Sequence, residues 1–548
     1  MKKYNTLFVV VVSILAVLLL TWVLPITYLN GTLMEEPTSQ AGIANLFMYP
    51  TYTFYIFVYT FVYLLAVGGL YGLLNRTGAY RSLLDKIVNY TKKHEIVWLV
   101  VTVLLISIVV SFTGFTIQAL IVLPLIASLV LLLGYDKMTA AMITVGSIAT
   151  GIIGTTFSSL VAGTFNNILG TTYTDLVIVK AILLVVADAI LILNIIHHAK
   201  NVEKKKNYDE SFLVPEKTSG KVKVWPLVTI LSCFVILLLI GTINWSAFNI
   251  DFFSNTYNSF SEVSVLSKYV LLIVSVLVIL YNVLVSVYKR RKEAKKDEKL
   301  LSKKRLIVTI IFAVIGFLAL LKICLEDIFN VTDIMNQGIK EIGLETIINN
   351  FTFGKLLGRV GVFGNWDYVD YVAFILLTCV VIKFAYHISF EDTVSHIGEG
   401  FKKVLYGVLV AMLSYTVLVI ILYHPIGLTI LKPLLDLTDG LNIFIYPLCT
   451  FISAVFNSDF TCYEYAVLNL NYAVSYFTST NVFPLCGLIT QAMYGLAILV
   501  APTSVVLLFS LSVLDIKYTT WLKKMWLPIL ELLLVIFVSF IIVLQFLI

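Results

Sequence analysis

The sequence predicts an all-α, polytopic membrane protein, and three observations carry that prediction. Of 548 residues, 59% are hydrophobic and 13% charged, whereas soluble domains carry about a quarter charged residues. Apolar stretches long enough to cross a hydrocarbon core recur from end to end. They are too long and uniform for the alternating strands of a membrane barrel. Backbone in lipid must satisfy its own hydrogen bonds, so the stretches are helices. Several of them, in both halves, are interrupted by hydroxyl and glycine clusters. The net charge of +6 lies in short runs beside the spans, as the positive-inside rule produces, and is not a nucleic-acid signal. Six cysteines show no metal-ligand spacing and read as small buried thiols. No HExxH, GxSxG, Walker A or kinase pattern occurs, so neither an enzyme nor ATP coupling within the chain is expected.

The first span, residues 7–24, follows Lys2 and Lys3 and ends on Trp22 and Pro25 rather than on small residues. We expect a permanent span with a cytoplasmic N-terminus. The polar loop at 30–36 is expected outside. A second span, 52–74, leads to a cytoplasmic linker with Arg81, Lys86, Lys92 and Lys93. The stretch 95–133 exceeds one span and is interrupted at Ser111 to Thr116, where hydroxyls and a glycine weaken a helix. The stretch 140–170 is interrupted around Gly154, Thr155, Thr156 and Ser158. A span at 177–196 ends on His197 and His198, which read as a helix end rather than a metal site.

Three central spans are expected at 225–243, 269–287 and 307–321, between basic runs and an acidic loop. Another span ends near Lys383 and precedes a charged linker, Glu391 to Lys403. The span 404–422 follows it. The stretch 443–455 is cut by Asn457, Ser458, Asp459, Phe460 and Thr461, and a later one by Pro502, Thr503 and Ser504. The last span covers 527–547.

The two halves share one plan, and paired broken helices in corresponding positions point to a transport site near the midplane. The implied organisation is 1–94 N-terminal spans and linker, 95–198 first transport repeat, 199–365 central spans, 366–440 second scaffold spans, 441–525 second transport repeat, and 526–548 C-terminal span. Ser111, Thr113, Gly114, Thr116 and Gln118 are the first substrate-binding candidates. Hydroxyls donate to a carboxylate, and open N–H groups at a helix start favour an anion. Such hydroxyls also bond back to their own helix in many spans. Asn457, Ser458 and Thr461 are the counterparts in the second half.

Thr155, Thr156, Ser158 and Ser159, with Pro502, Thr503 and Ser504, are the ion- or proton-coupling candidates. A proline frees a carbonyl and hydroxyls complete an oxygen cage suited to sodium; a packing kink is the rival. Asp459 sits in apolar surroundings, and an intramembrane carboxylate is a functional hypothesis by default. It holds a cation, carries a proton, pairs with a cationic substrate, or lies in an ordinary surface loop. Asn166, Asn167, Asp188, Glu464 and Gln491 are secondary candidates. Lys180 is expected to snorkel.

Four pieces carry a family resemblance: Thr21-Trp22-Val23-Leu24-Pro25; the run from Val67 to Gly78; Gly134-Tyr135-Asp136; and Pro502-Thr503-Ser504 followed by Trp521-Leu522-Lys523. Their order and spacing resemble the YfcC-like carriers of the ion transporter superfamily, a group associated with C4-dicarboxylates or basic amino acids. The resemblance implies an elevator-type transporter with two inverted repeats, each contributing a re-entrant hairpin and an unwound helix. It implies substrate and coupling ion held where the hairpin tips meet the unwound segments, and a homodimer formed through a scaffold domain. Here Thr116-Ile117-Gln118-Ala119 replaces the family's acidic cluster, and Ser158-Ser159-Leu160-Val161 replaces its Asn-Pro-Phe-Thr element.

The expected function is secondary active transport of a small anionic or zwitterionic organic solute, a dicarboxylate or amino acid. Coupling to Na+ or H+ and a bacterial inner-membrane location are expected, with no cofactor. The alternatives are an amino-acid or peptide exchanger without cation coupling and a non-transporting scaffold derived from a transporter.

Overall fold

In a computed structural model, the structure describes residues 5–24, 27–29, 32–34, 40–202, 213, 215, 222–250, 252–293, 303–328, 351–358, 361–424, 426, 429–430, 443–456, 458 and 480–547. Among these, the backbone closes its hydrogen bonds almost wholly within helices, as lipid demands. The strand-like exceptions are a short antiparallel hairpin, β1 (Thr27–Leu29) with β2 (Thr32–Met34), in register Thr27 to Met34, and an isolated antiparallel bridge between Ser264 and Thr352. Ten helices among the described residues are long and apolar enough to cross a membrane. The protein is a multi-pass membrane protein.

The chain divides into two units, Met1–Phe248 with Asp367–Ile548, and Asn249–Trp366. The first begins with α1 (Asn5–Val23), α2 (Asn45–Ile56), α3 (Val58–Arg76), α4 (Ala79–Thr91) and α5 (Glu95–Thr113). It continues through α6 (Leu123–Leu132), α7 (Lys137–Ile153), α8 (Thr164–Leu169), α9 (Val177–Asn201) and α10 (Trp225–Thr242). The second unit holds α11 (Phe252–Glu262), α12 (Lys268–Glu293), α13 (Lys303–Ile328) and α14 (Phe353–Leu357). There α12 and α13 pack together, with Asn282 donating to Thr309 at 3.2 Å. The first unit resumes with α15 (Tyr368–Ala385), α16 (Phe390–Tyr423), α17 (Tyr446–Phe456), α18 (Phe483–Val500), α19 (Val505–Leu514) and α20 (Tyr518–Leu547).

Three boundaries differ from the sequence expectation. The span expected at 52–74 is two helices, α2 and α3, jointed at Phe57 (φ −105°, ψ 19°), whose ring stacks on Tyr415 at 4.2 Å. The linker expected from Glu391 to Lys403 is instead the first part of α16, a helix of 34 residues. Ser389 starts it by accepting from the Asp392 N–H at 3.0 Å, and Glu391 and Asp392 in the first turn suit the helix dipole. Likewise α20 begins well before the expected span and takes in Lys523 and Lys524.

α16 lies hard against α3 because both carry glycine at the crossing. A Cβ on Gly400 would stand 2.2 Å from the Gly68 carbonyl oxygen, and one on Gly72 would stand 2.3 Å from that of His396. Without a hydrophobic drive between helices in lipid, such close backbone packing supplies the attraction. Gly400→Val is therefore expected to destabilise the protein by about 1–3 kcal/mol through overpacking. A thermal melt in detergent checks this, and an unchanged Tm would contradict the contact.

The core sits around α7 and α18. Every residue of α7 after Lys137 is buried, and α18 is buried on all faces along most of its length. Helices that are apolar all round belong in the interior, and these two lie against each other. The outer spans instead expose Leu105, Ile182 and Leu534, as lipid-facing surfaces do. Both core helices end at breaks.

Candidate functional site

The break after α5 turns on Gly114 in the left-handed region (φ 75°, ψ 16°), where a glycine end-cap is favoured. A Cβ there would also stand 2.1 Å from Ser158 Oγ. The breaks after α5 and α7 thus touch. The Thr156 N–H donates to the Ser111 carbonyl at 3.1 Å. Ser111 Oγ donates to the Gly154 carbonyl at 2.8 Å and lies 3.2 Å from Thr156 Oγ1. Ser158 Oγ donates to the Thr113 carbonyl at 3.0 Å and accepts from the Val161 N–H at 3.2 Å. Helix ends leave orphan backbone groups, and these side chains satisfy several of them.

The remaining first-half candidates are mostly inward. Thr113 Oγ1 donates back to Val109 at 2.7 Å, and Thr155 Oγ1 donates to the Gly151 carbonyl at 3.1 Å. Thr116 is buried. Gln118 is buried too; its carbonyl accepts from Tyr63 OH at 2.6 Å, while its Oε1 has no partner among the described residues. Ser159 opens a π-helical turn, Ser159–Gly163, a form that recurs at functional sites. Thr171 Oγ1 donates to Asn166 Oδ1 at 2.8 Å, and Asn167 is exposed.

The second half shows a similar clasp. Thr503 Oγ1 donates to the Val455 carbonyl in the last turn of α17, as Ser158 does to the last residue of α5. Ser504 caps α19 by accepting from the Leu507 N–H at 3.3 Å. Pro502 lies in the break between α18 and α19. The last carbonyls of α18 accept from α20: Trp521 Nε1 donates to Leu499 at 2.8 Å and Tyr518 OH to Val500 at 2.5 Å. Ser458 is buried. Asn457, Asp459, Thr461 and Glu464 lie outside the described residues.

Gln491 joins the halves. From α18 its Nε2 donates to the Thr155 carbonyl at 3.0 Å, at the first-half break. Gly495, one turn on, meets α7 so closely that a Cβ would stand 2.7 Å from the Ile153 nitrogen. Asp188 on α9 is 2% exposed. Its Oδ2 accepts from Ser107 Oγ of α5 at 2.6 Å, and Thr150 of α7 also faces the carboxyl. Its Oδ1 makes no hydrogen bond of good geometry among the described residues. Ser107, Thr150 and Tyr518 are neighbours of the candidate residues that no local pattern singles out, whereas Trp521 belongs to one of the four family-like pieces.

One end of this assembly is pinned by polar contacts. Asp136 caps α7, accepting from the Thr139 N–H at 2.9 Å, and lies 3.2 Å from His198 Nε2 at the end of α9. Burial alone raises a carboxyl, but hydrogen bonds from His198 and Thr139 outweigh it and hold Asp136 below its ordinary range. A depressed folded-state value adds stability above the unfolded pKa, about 3.9, and that stability is lost as pH falls through the folded value. Asp136→Ala is thus expected to cost about 1 kcal/mol at neutral pH and to flatten the acid limb of stability below about pH 4. Thermal melts across pH check this; an acid limb unaltered by the substitution would contradict it. Nearby, Lys92, Lys93, His94 and Lys200 line an open cleft of about 720 Å³.

Chemically, the breaks offer oriented hydroxyls, carbonyls and amides inside an apolar core, with one buried carboxyl beside them. Among the described residues no group of three or more His, Cys, Asp or Glu side chains is placed to hold a metal ion. No curated protein and no solved structure matches the chain. The family model described as "C4-dicarboxylate anaerobic carrier" matches residues 5–546, nearly the whole chain.

Proposed function

Since the chain belongs to the C4-dicarboxylate anaerobic carrier (DcuC) family, a family of carriers rather than enzymes, we propose that it is a secondary active transporter of C4-dicarboxylates working by alternating access. The observation that most supports this reading is the repeated clasp: Ser158 on the Thr113 carbonyl in one half, Thr503 on the Val455 carbonyl in the other. Interrupted helices at membrane depth are tolerated only where protein or a cavity covers them. Two such pairs, each stitched by a hydroxyl, fit inverted repeats around a central site. An elevator-type movement against a scaffold made by the glycine-packed pair α3 and α16 accords with this plan, as does a homodimer through that scaffold. The YfcC-like branch, a bacterial inner membrane and a cytoplasmic N-terminus complete the reading.

For coupling we propose a proton carried by Asp188. A buried carboxyl bonded at one oxygen can gain and lose a proton without rebuilding its surroundings. Hydroxyl and carbonyl oxygens at Thr155, Thr156, Ser158, Ser159, Pro502, Thr503 and Ser504 remain the proposed place for Na+ if uptake proves sodium-dependent. The test is succinate uptake by reconstituted full-length protein under imposed proton or sodium gradients. Stimulation by an inward proton gradient alone supports Asp188. Stimulation by sodium alone moves the coupling role to the breaks.

A further inference from the structure

The start of α5 and the end of α9 border the open cleft of about 720 Å³. Both helices are long and apolar enough to cross a membrane, so the cleft lies where spans meet the edge of the bilayer. Three lysines line it: Lys92 at the end of α4, Lys93 in the turn before α5, and Lys200 in the last turn of α9. All three are exposed. None of them forms an ion pair among the described residues. The carboxylate on the cleft is Glu95, whose Oε2 accepts from Tyr135 OH at 2.8 Å. Asp136, next along the chain from Tyr135, is engaged by His198 and Thr139. Positive charge therefore prevails in the cleft.

Two further features narrow the ligand. His94 caps α5 without a side-chain hydrogen bond, and the positive end of a helix dipole attracts oxyanions. The α5 wall then turns apolar at once: Ile96 is 42% exposed and Val97 58% exposed. A soluble anion would use the lysines and leave that wall bare. A ligand with an acidic head and fatty tails uses both, and basic pockets between spans take anionic headgroups.

We propose that this cleft binds the headgroup of an anionic phospholipid. The phosphodiester oxygens lie among Lys92, Lys93 and Lys200, and the acyl chains run along Ile96 and Val97. A lipid held in this way bridges the joint between α4 and α5 to the end of α9, the helix that carries Asp188.

The test uses purified full-length protein, stripped of lipid in detergent, with phosphatidylglycerol, phosphatidylcholine and soluble glycerol phosphate as probes. Native mass spectrometry counts bound lipid, and thermal melts report its effect, because a ligand of the folded state raises apparent stability by mass action. Phosphatidylglycerol is expected to bind and to raise the Tm more than phosphatidylcholine at the same concentration. Lys93→Gln combined with Lys200→Gln is expected to weaken phosphatidylglycerol binding by roughly 25-fold, about fivefold for each lysine. The Tm in phosphatidylcholine should stay close to that of the wild type, since both side chains are exposed. Wild-type affinity in the double variant, or no preference for phosphatidylglycerol in the wild type, overturns the proposal. An equal loss from Lys523→Gln with Lys524→Gln, two exposed lysines of α20 that do not line the cleft, would be a general charge effect and overturns the site. Glycerol phosphate that binds as tightly as the lipid overturns the lipid assignment in favour of a free phosphate anion. If the double variant does not fold, Lys93→Gln alone decides, and unchanged affinity is the contrary result.

Discussion

Asp188→Asn is expected to abolish proton-driven accumulation of dicarboxylate while leaving exchange of labelled for unlabelled substrate in place. Asparagine keeps the shape of the side chain and can still accept from Ser107, which sits 2.6 Å from the carboxyl. It cannot take up or release a proton. In the proposed coupling, accumulation against a gradient needs that proton, whereas exchange needs only the moving site. A purely structural role would give another result: a lower Tm with coupling intact. The carboxyl is buried between Ser107 on α5 and Thr150 on α7, two helices that end at the paired breaks. Accumulation that stays proton-driven in Asp188→Asn would remove the residue from the coupling mechanism.

Gly114→Ala is expected to be the most damaging single methyl group in the first half. At φ 75° the backbone is in the left-handed region, which costs a non-glycine residue about 1–2 kcal/mol. The new Cβ would also meet Ser158 Oγ at 2.1 Å, and Ser158 Cβ and Val161 Cγ2 at 3.1 Å. Overpacking of this kind adds about 1–3 kcal/mol. The double variant with Ser158→Gly removes the hydroxymethyl group and should recover part of the loss, leaving the backbone strain. Additive effects in the double-mutant cycle would mean the two breaks are not in contact.

The breaks were legible because they are local in composition. Gly114, Gly154, Pro502 and their hydroxyl neighbours interrupt apolar runs where nothing else weakens a helix. The partners of those hydroxyls were not legible. Ser111 and Gly154 are separated in the sequence by α6 and α7, and Thr503 and Val455 by α18, so no periodicity connects them. The same holds for Ser107 with Asp188 and for Trp521 with Leu499. By polarity alone the charged run from Glu391 to Lys403 reads as a linker. The start signal of Ser389 followed by Asp392 was present, and glutamate and lysine are good helix formers.

The most direct test of the carrier assignment is uptake of labelled succinate by proteoliposomes holding the purified full-length protein, with the outside acidified. The account predicts saturable accumulation above the bath concentration, inhibition by unlabelled fumarate, and collapse when the proton gradient is dissipated. Folded, reconstituted protein that moves no C4-dicarboxylate, in net uptake or in exchange, would contradict it.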